Sequence, residues 1–546
     1  MTSRTKLTLL GVIAGVLVGL MTPPRRLADA SNYVLMADSL VRDWDLVYER
    51  GDLQRARQMH FADLPTGLFL IKRGGTYAYA KPLVYPLLAV PAFAAFGVRG
   101  FLALNGLLLA AVILLGADIL ARHLPWKHAL AAAAVLTGFS ATPVYVHWID
   151  PFLLCTALTA GIVVAYRRNR PGWVAALVVF AGVCRVPYLV LGAAPAALYT
   201  LQRRWRDLGW LIAVGVVTAA ALLALNRFAT GEWSPYLGER YYYINAFPYD
   251  GPGNEEVGFQ AAADRALAAW RWPTPGQLLR SNVYYFFGRF SGVVLYFPTL
   301  LVCLLWCQRW DREKGLWLLA LLGCCLAFQL VFPHNSAGGS HAVGNRFFAL
   351  LPLGFALVDS VAWRGWRALA TCALLLSAVP LIQAPVYFSV NAGRQMLEFP
   401  YRLFPLEWTQ VRRISFPFDF PGMAALTENQ YQWEPPLGGV WTVGGTKAAF
   451  VLIRPAGQPA VVRLWSLLPA ARLTDGGVPI DMQFQPWVEQ ELQLKHPVVA
   501  FADESNDFRK SAAYLLTVET TSCARAADYG ASNDPRCLGV FVRPMP

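Results

Sequence analysis

The sequence predicts a mostly α-helical, polytopic membrane protein of about eleven transmembrane helices, followed by a C-terminal all-β sandwich domain. Three observations predict it. Of 546 residues, 56% are hydrophobic and only 15% are charged, with a mean hydropathy of +0.40. A soluble domain averages about 25% charged residues, so this chain has too few charges to coat a soluble surface of its size. Long apolar runs recur through residues 1–386, and short β-rich runs replace them after residue 431. Nineteen Trp, twenty-two Tyr and thirty-one Phe exclude a disordered chain.

The apolar runs lie near 7–22, 101–121, 129–146, 152–166, 172–201, 207–226, 290–307, 315–332, 347–361 and 366–386. TPPRRLAD follows the first run without a small-x-small cleavage site, so it reads as an uncleaved span. Basic clusters lie between the runs: Arg122 to His128; Arg167, Arg168 and Arg170; Arg203, Arg204 and Arg206; Arg309, Arg312 and Lys314; Arg364 and Arg367. With Arg4 and Lys6, the positive-inside rule places all of them in the cytoplasm. Span one then delivers residues 23–80 outside, and an odd number of crossings must follow before Arg122. The run 101–121 is that crossing. The stretch 82–97, interrupted by Pro82, Pro86 and Pro91, reads as a re-entrant or interfacial piece. The run 172–201 begins and ends at inside clusters, so it is a hairpin with Arg185 and Pro187 at its outer tip. The C-terminus falls outside.

The net charge of +13 is therefore mostly a topology signal, and nucleic-acid binding loses its main support. Three outer segments are long: 23–80, 227–289 and everything after 386. Residues 387–430, rich in Phe, Pro and Arg, read as an interfacial linker. In 431–546 the runs WTVGG, KAAFVLIRP, AVVRLWSLL, IDMQFQP, QELQLKH, AAYLLTVETT and LGVFVRP are separated by Gly, Pro and Asp turns, the pattern of a β-sandwich. Seven of nine Cys lie in apolar spans as small hydrophobes. Only Cys523 and Cys537 fall in the outer domain, where a disulfide is permitted. None of the Cys has metal-ligand spacing, and the seven scattered His do not form a zinc pattern.

Ionisable residues at the mouths of apolar spans cost several kcal/mol unless paired or used. Asp29 follows span one and opens DASNYVLMADSLVRDWDL, whose Tyr33 and Leu40 share the apolar face of an amphipathic helix in the interface. Asp150 in VHWIDPFLL stands at the outer mouth of 152–166. The outer cations are Lys81 in YAYAKPLVYP, Arg185 in CRVPYL, Arg240 in GERYYY, Arg289 in FFGRFSG and Arg346 in GSHAVGNRFF. Tyr33, Tyr79, Tyr85, His341 and Asn345 from the same motifs are candidates for substrate contact. A carboxylate pair under a ring of cations suits transfer from a lipid phosphate: a base takes the acceptor proton while cations neutralise the leaving phosphate. Each residue also has a structural reading. Asp29 and Asp150 fit as helix caps, the cations as snorkelling side chains, and His341 as a loop histidine.

Asp29 with its following helix, RDWDL, and GGTYAYAKPLVYPLLAVPAFAAFG resemble the GT-C superfamily of polytopic glycosyltransferases. The resemblance is closest to protein O-mannosyltransferases and the lipid A aminoarabinose transferase. Family members carry DEPHY in the first outer loop. DASNY keeps Asp29 and Tyr33 but has Ala30 where the family has Glu, and KPL keeps Lys81 and Pro82 of the family's KPP element. WIDPFLL is similar to the family's second-loop TDxxL, and FFGRFSGVVLYFP and GSHAVGNRFFALLP are similar to stretches of bacterial members with a C-terminal β domain. The resemblance implies a catalytic domain over 1–386 in a bacterial cytoplasmic membrane. It implies a polyprenyl-phosphate-linked sugar donor and a hydroxyl acceptor on a glycan, lipid or protein. Asp29 would be the base, Asp150 would orient the acceptor or the base, and Lys81 would hold the donor phosphate, with Arg346, Arg185, Arg240 and Arg289 behind it. Some relatives use a divalent ion, which no dense acidic cluster here compels.

Two other activities compete. A lipid-linked glycan transporter or flippase would want polar residues along the span centres, which are nearly free of charge here. An O-antigen-ligase-like enzyme would depend on outer arginines and a histidine. In the β domain, Trp441, Trp465 and Trp487 are either an exposed glycan-binding set or core residues. The topology makes a direct prediction: Cys residues introduced at Ser340 and at Asn169 label from opposite sides of the membrane with an impermeant thiol reagent. Labelling of both from outside would overturn the crossing count.

Overall fold

The computed structural model describes residues 3–23, 30–59, 68–73, 75–234, 240–243, 248–249, 259–260, 275–289, 291–331, 343–361, 365–383, 399–404, 423–425, 430–431, 434, 437–455, 458–498, 511–529 and 536–545. They form two compact units: residues 1–273, 296–336 and 346–390, and residues 274–295, 337–345 and 391–546. The chain is mostly helical with a C-terminal β-sheet region.

The first unit contains α1 (Ser3–Met21), α2 (Ala30–Arg42), α3 (Arg50–Gln58), α4 (Val84–Phe96), α5 (Val98–Leu120), α6 (Trp126–Gly138), α7 (Phe152–Arg167), α8 (Pro171–Cys184), α9 (Ala193–Leu201) and α10 (Trp205–Thr230). Further helices span Thr299–Leu305, Arg312–Val331, Leu351–Phe355, Gly365–Ser377 and Val379–Gln383. Among the described residues, four helices are long and apolar enough to cross a membrane: Arg4–Met21, Val98–Leu120, Trp205–Thr230 and Arg312–Val331. Helix α1 lies against α5 through glycine. Gly11, Gly15 and Gly19 recur every four residues and so share a face. A Cβ on Gly15 would lie 2.5 Å from the Gly106 carbonyl oxygen, and one on Gly106 would lie 2.0 Å from the Gly15 carbonyl oxygen. Only glycine lets the two backbones touch there.

Several apolar runs are not single helices. The run 129–146 ends as a helix at Gly138 and continues as a 3-10 stretch, Thr142–His147. Ser140 Oγ donates to the Thr137 carbonyl at 2.7 Å and accepts the Thr142 N–H at 3.2 Å, replacing helical hydrogen bonds. Pro298 divides 290–307, leaving Thr299–Leu305 as its helix in this unit. In 347–361 only Leu351–Phe355 is α-helical. The prolines of 82–97 do not break it. Pro86 sits in the first turn of α4, where no N–H is needed, and Pro91 is carried inside the helix. Gly97, at φ 57°, then turns the chain into α5.

The cationic clusters meet at one end of this unit. Arg4 and Arg168 pair with Asp118 at 2.7 and 2.8 Å. Arg122 and Arg167 reach Glu313 at 3.3 and 3.4 Å, and Lys314 pairs with Asp359. Arg204 donates to Asn169 Oδ1 at 2.8 Å. At the other end of α5, thirteen residues or about 20 Å from Asp118, Asn105 bonds the carbonyls of Val146 and Trp148. The two ends of the bundle thus have different chemistry.

Segments 23–80 and 227–289 are joined by a sheet that the sequence did not announce. Strands β1 (Val47–Tyr48), β2 (Leu68–Arg73), β3 (Thr76–Tyr79), β4 (Arg240–Tyr243) and β5 (Phe259–Gln260) pair antiparallel in the order β1-β3-β2-β4-β5. Tyr48 faces Tyr77 across the strands, and Leu70 faces both Tyr79 and Tyr241. The expected interfacial helix is also buried: every residue of α2 from Ala30 to Ser39 is inaccessible. It packs against α4 instead of lying on a membrane surface.

In the second unit, β6 (Met423–Ala425), β8 (Lys447–Pro455), β10 (Arg472–Asp475), β11 (Val478–Ile480), β13 (Pro497–Val498) and β14 (Ser511–Glu519) make one antiparallel sheet. Strands β7 (Val440–Val443), β9 (Ala460–Ser466), β12 (Gln490–Leu494) and β15 (Leu538–Pro544) make a second. Phe450, Leu452, Leu473, Leu516 and Val518 from the first share a core with Val440, Val462, Leu464, Val540 and Val542 from the second. Strand β6 lies within the expected linker 387–430, so the sheet begins before residue 431. Trp441 and Trp465 are opposite Phe541 on adjacent strands, with Trp465 stacked on it at 4.5 Å. Trp441 is buried in this cluster, whereas Trp487 is exposed. Cys523 and Cys537 are joined by a disulfide.

The glycine contact makes a prediction. Gly106→Ala overpacks the α1–α5 interface and costs about 1–3 kcal/mol, read as a lower unfolding temperature of the full chain in detergent. Gly209→Ala, where an added Cβ meets nothing within 4 Å, leaves that temperature unchanged or raises it.

Candidate active site

Asp150 closes the non-helical passage between α6 and α7. Its Oδ1 accepts the Phe152 N–H at 2.9 Å, capping α7, so its structural reading as a cap is realised by one oxygen. Its Oδ2 lies 3.3 Å from the Arg185 guanidinium. Both side chains are buried, where the attraction between opposite charges is far stronger than in water.

Arg185 has extended backbone between α8 and the 3-10 stretch Val186–Gly192, which carries Pro187 in its first turn, where no N–H is needed. Its guanidinium carbon lies 4.8 Å from the centre of the Phe347 ring, and that of Arg346 lies 5.4 Å from the same ring. Phe347 is fixed from two sides. Its carbonyl accepts the Tyr188 hydroxyl at 2.6 Å, and its ring stacks on Phe328 at 5.2 Å. Two guanidiniums therefore share one aromatic ring, which partly replaces the water they leave, and one of them also meets the Asp150 carboxylate. Among these three groups positive charge is in excess, the balance that an anionic phosphate complements.

A second group of residues lies at the start of α2. Asn32 Oδ1 accepts the Phe69 N–H at 2.8 Å, and the Phe69 carbonyl accepts the Ala80 N–H at 3.0 Å. The Lys81 ammonium sits 4.2 Å from the centre of the Phe69 ring and is buried. Tyr33 meets Tyr85 edge-on at 5.3 Å, and the Tyr85 hydroxyl donates to Asn105 Oδ1 at 2.9 Å. Asn105 connects this group to the Asp150 passage. At the end of α1, the Pro23 carbonyl lies 3.4 Å from His147 Nδ1.

Asp29 and His341 lie outside the described residues, as does the side chain of Arg240, whose backbone belongs to β4. The described neighbours of Asp29 in the chain are those just placed: Pro23 beside His147, and Asn32 and Tyr33 beside Phe69 and Tyr85. Asp150, Arg185 and Arg346 are brought together, and Lys81, Tyr33 and Tyr85 form the second group. Tyr85 is fully buried with its hydroxyl turned to Asn105, which makes it a strut in this structure. Arg289 and the buried Asn345 belong to the second unit, where Arg289 Nε donates to the Phe404 carbonyl at 2.9 Å.

Tyr79 departs from the expected grouping. It packs edge-on against Tyr48 in the small sheet, and its hydroxyl finds no hydrogen-bond partner among the described residues. Nearby, Arg55 serves three carboxylates: Asp38 and Asp52, each at 2.6 Å, and Asp43. Arg42 adds a second bond to Asp38 at 2.9 Å. Burial raises the Asp52 carboxyl to about 6, against the Glu49 N–H and Arg55, which hold it down.

Sequence reasoning missed Asn105, Phe347 and the Arg55 network. Asn105 was visible as a lone polar residue in FLALNGLLLAAV, a signal for a buried partner. The others had no distinguishing local pattern. Among the described residues no group of three or more His, Cys, Asp or Glu is placed to hold a metal ion. No family model matches the chain, and no curated protein matches it.

Asp52 gives the fold a pH dependence. Its carboxyl titrates near 6 when folded and about 4 when unfolded. The folded state therefore binds the extra proton between these values, and the stability it lends is full at low pH and fades as pH rises through about 6. Asp52→Asn, neutral throughout, flattens the change in unfolding temperature across this window. An unchanged slope in the variant would assign the titration to another group.

Proposed function

We propose that the chain is a membrane glycosyltransferase that moves a sugar from a polyprenyl-phosphate donor to a hydroxyl of a cell-envelope glycan, lipid or protein. The observation that carries this reading is the buried Asp150–Arg185 pair beside Arg346, the two guanidiniums sharing the Phe347 ring. It combines a carboxylate with an excess of cations at the end of the bundle away from the paired basic clusters. The resemblance of DASNY, KPL and WIDPFLL to GT-C motifs supplies the sugar chemistry.

In this reading the basic end is cytoplasmic, the chain crosses a bacterial inner membrane about eleven times, and the β domain is periplasmic. Residues 1–386 are the catalytic domain. Asp29 removes the proton from the acceptor hydroxyl, whose oxygen forms a bond to the anomeric carbon. The bond from that carbon to the phosphate oxygen breaks, and the polyprenyl phosphate leaves with its electron pair toward Lys81, Arg185 and Arg346. One displacement inverts the anomeric centre. Arg240 is a further phosphate contact. In the β domain only Trp487, exposed on its loop, is presented for a glycan, since Trp441 belongs to a buried cluster.

The test begins with a gene deletion and analysis of which envelope glycan loses a residue. Restoration by the wild-type chain and not by Asp29→Asn, at equal protein level, is expected. Asp150→Asn and Arg346→Ala lower transfer by about tenfold or more, as for groups that orient or neutralise reacting charge. Near-normal restoration by Asp29→Asn would remove it as the base, and a glycan profile unaffected by deletion would remove the whole reading.

A further inference from the structure

We infer that Asn105 is a positioning residue that holds Asp150 at its working place through the backbone between α6 and α7. The inference rests on the glycosyltransferase reading of Asp150. Asn105 is fully buried in α5, a helix otherwise built for apolar surroundings. An unpartnered amide there would cost several kcal/mol, yet this one is bonded through both its nitrogen and its oxygen. Its Nδ2 donates to the Trp148 carbonyl at 2.6 Å and to the Val146 carbonyl at 3.3 Å, using both protons, and its Oδ1 accepts the Tyr85 hydroxyl at 2.9 Å. Two carbonyls on one side and a hydroxyl donor on the other leave only one orientation for the amide.

The link to Asp150 is short. The Trp148 carbonyl that takes the shorter Asn105 bond also accepts the N–H of Asp150, at 3.0 Å. One oxygen atom thus joins the Asn105 amide to the backbone of Asp150. Beyond it, Asp150 Oδ1 is committed to the Phe152 N–H, so Oδ2 is left to face Arg185. Tyr85 extends the strut toward the start of α2, because its ring meets Tyr33, four residues after Asp29. The last helical hydrogen bond of the 3-10 stretch runs from the Trp148 N–H to the Tyr145 carbonyl at 3.2 Å. Beyond it, Asn105 ties the Trp148 carbonyl, and through it the turn to Asp150, to α5.

The experiment uses the full chain in lipid nanodiscs and in the deletion strain. Two quantities are read: the glycan residue restored to the envelope, and the affinity of the purified protein for undecaprenyl phosphate. Asn105→Leu, close in volume, is expected to lower restoration about tenfold to a hundredfold, the effect of misplacing a reacting group by about an ångström. Its affinity for undecaprenyl phosphate stays within about twofold of wild type, because the cations that bind phosphate are untouched. Tyr85→Phe removes one hydroxyl without disturbing packing. It is expected to show the same separation of the two readouts with a smaller loss, and it decides the matter if Asn105→Leu does not accumulate. Restoration within about twofold of wild type in the deciding variant, or parallel loss of restoration and affinity, overturns the inference. Asp150→Asn is run alongside. Normal transfer by Asp150→Asn overturns the reading of Asp150 itself, whereas its loss with normal transfer by Asn105→Leu overturns the positioning role alone.

Discussion

The backbone from Phe139 to Pro151 is largely buried among apolar helices without being α-helical, and the candidate site depends on how its peptide groups find partners. In such surroundings an unbonded N–H or C=O costs several kcal/mol, so irregular backbone survives only where protein groups reach it. Here they do. The Ala141 N–H donates to the Tyr296 carbonyl at 2.7 Å, Ser140 bonds both of its neighbours in the turn, and Asn105 serves two carbonyls. The same requirement that makes the passage expensive makes it rigid. A carboxylate mounted on it is held more tightly than one on a surface loop.

Charge is distributed along the bundle by the same economy. At one end Arg4, Arg122, Arg167, Arg168 and Lys314 are matched by Asp118, Glu313 and Asp359. At the other, Arg185 and Arg346 share the Phe347 ring, and Arg185 also meets the Asp150 carboxylate. Lys81 likewise rests on an aromatic ring, Phe69. Aromatic faces stabilise a cation without neutralising it. The salt-bridged set at the opposite end clamps helices together.

Much of the helical unit was readable in the residues. A break in the run 172–201 near Arg185 and Pro187 was expected, and the structure divides α8 from α9 there. The passage after α6 was read as a continuous span because hydropathy does not register that Ser140 and Pro143 divert the backbone. The antiparallel sheet joining β2 to β4 was not readable at all. Its partners are some 170 residues apart in the chain, and two short strands carry no signal of which distant strand completes them. For the site, Asp150, Arg185 and Lys81 were visible as ionisable residues at span mouths, while Phe347 was one aromatic among many.

By itself, the sequence determined that the chain is helical and apolar over its first part, that its charges lie at the ends of the apolar runs, and that β structure follows. Those properties are set by composition and by short-range periodicity, which neighbouring residues carry among themselves. Only the tertiary structure decided that Asn105 grips the turn before Asp150, that Arg185 and Arg346 share one ring, and that α2 is buried instead of lying flat on a membrane. Each of these is a contact between residues far apart in the chain. The energy of such a contact depends on a geometry that the packed helices create, and no local pattern contains it.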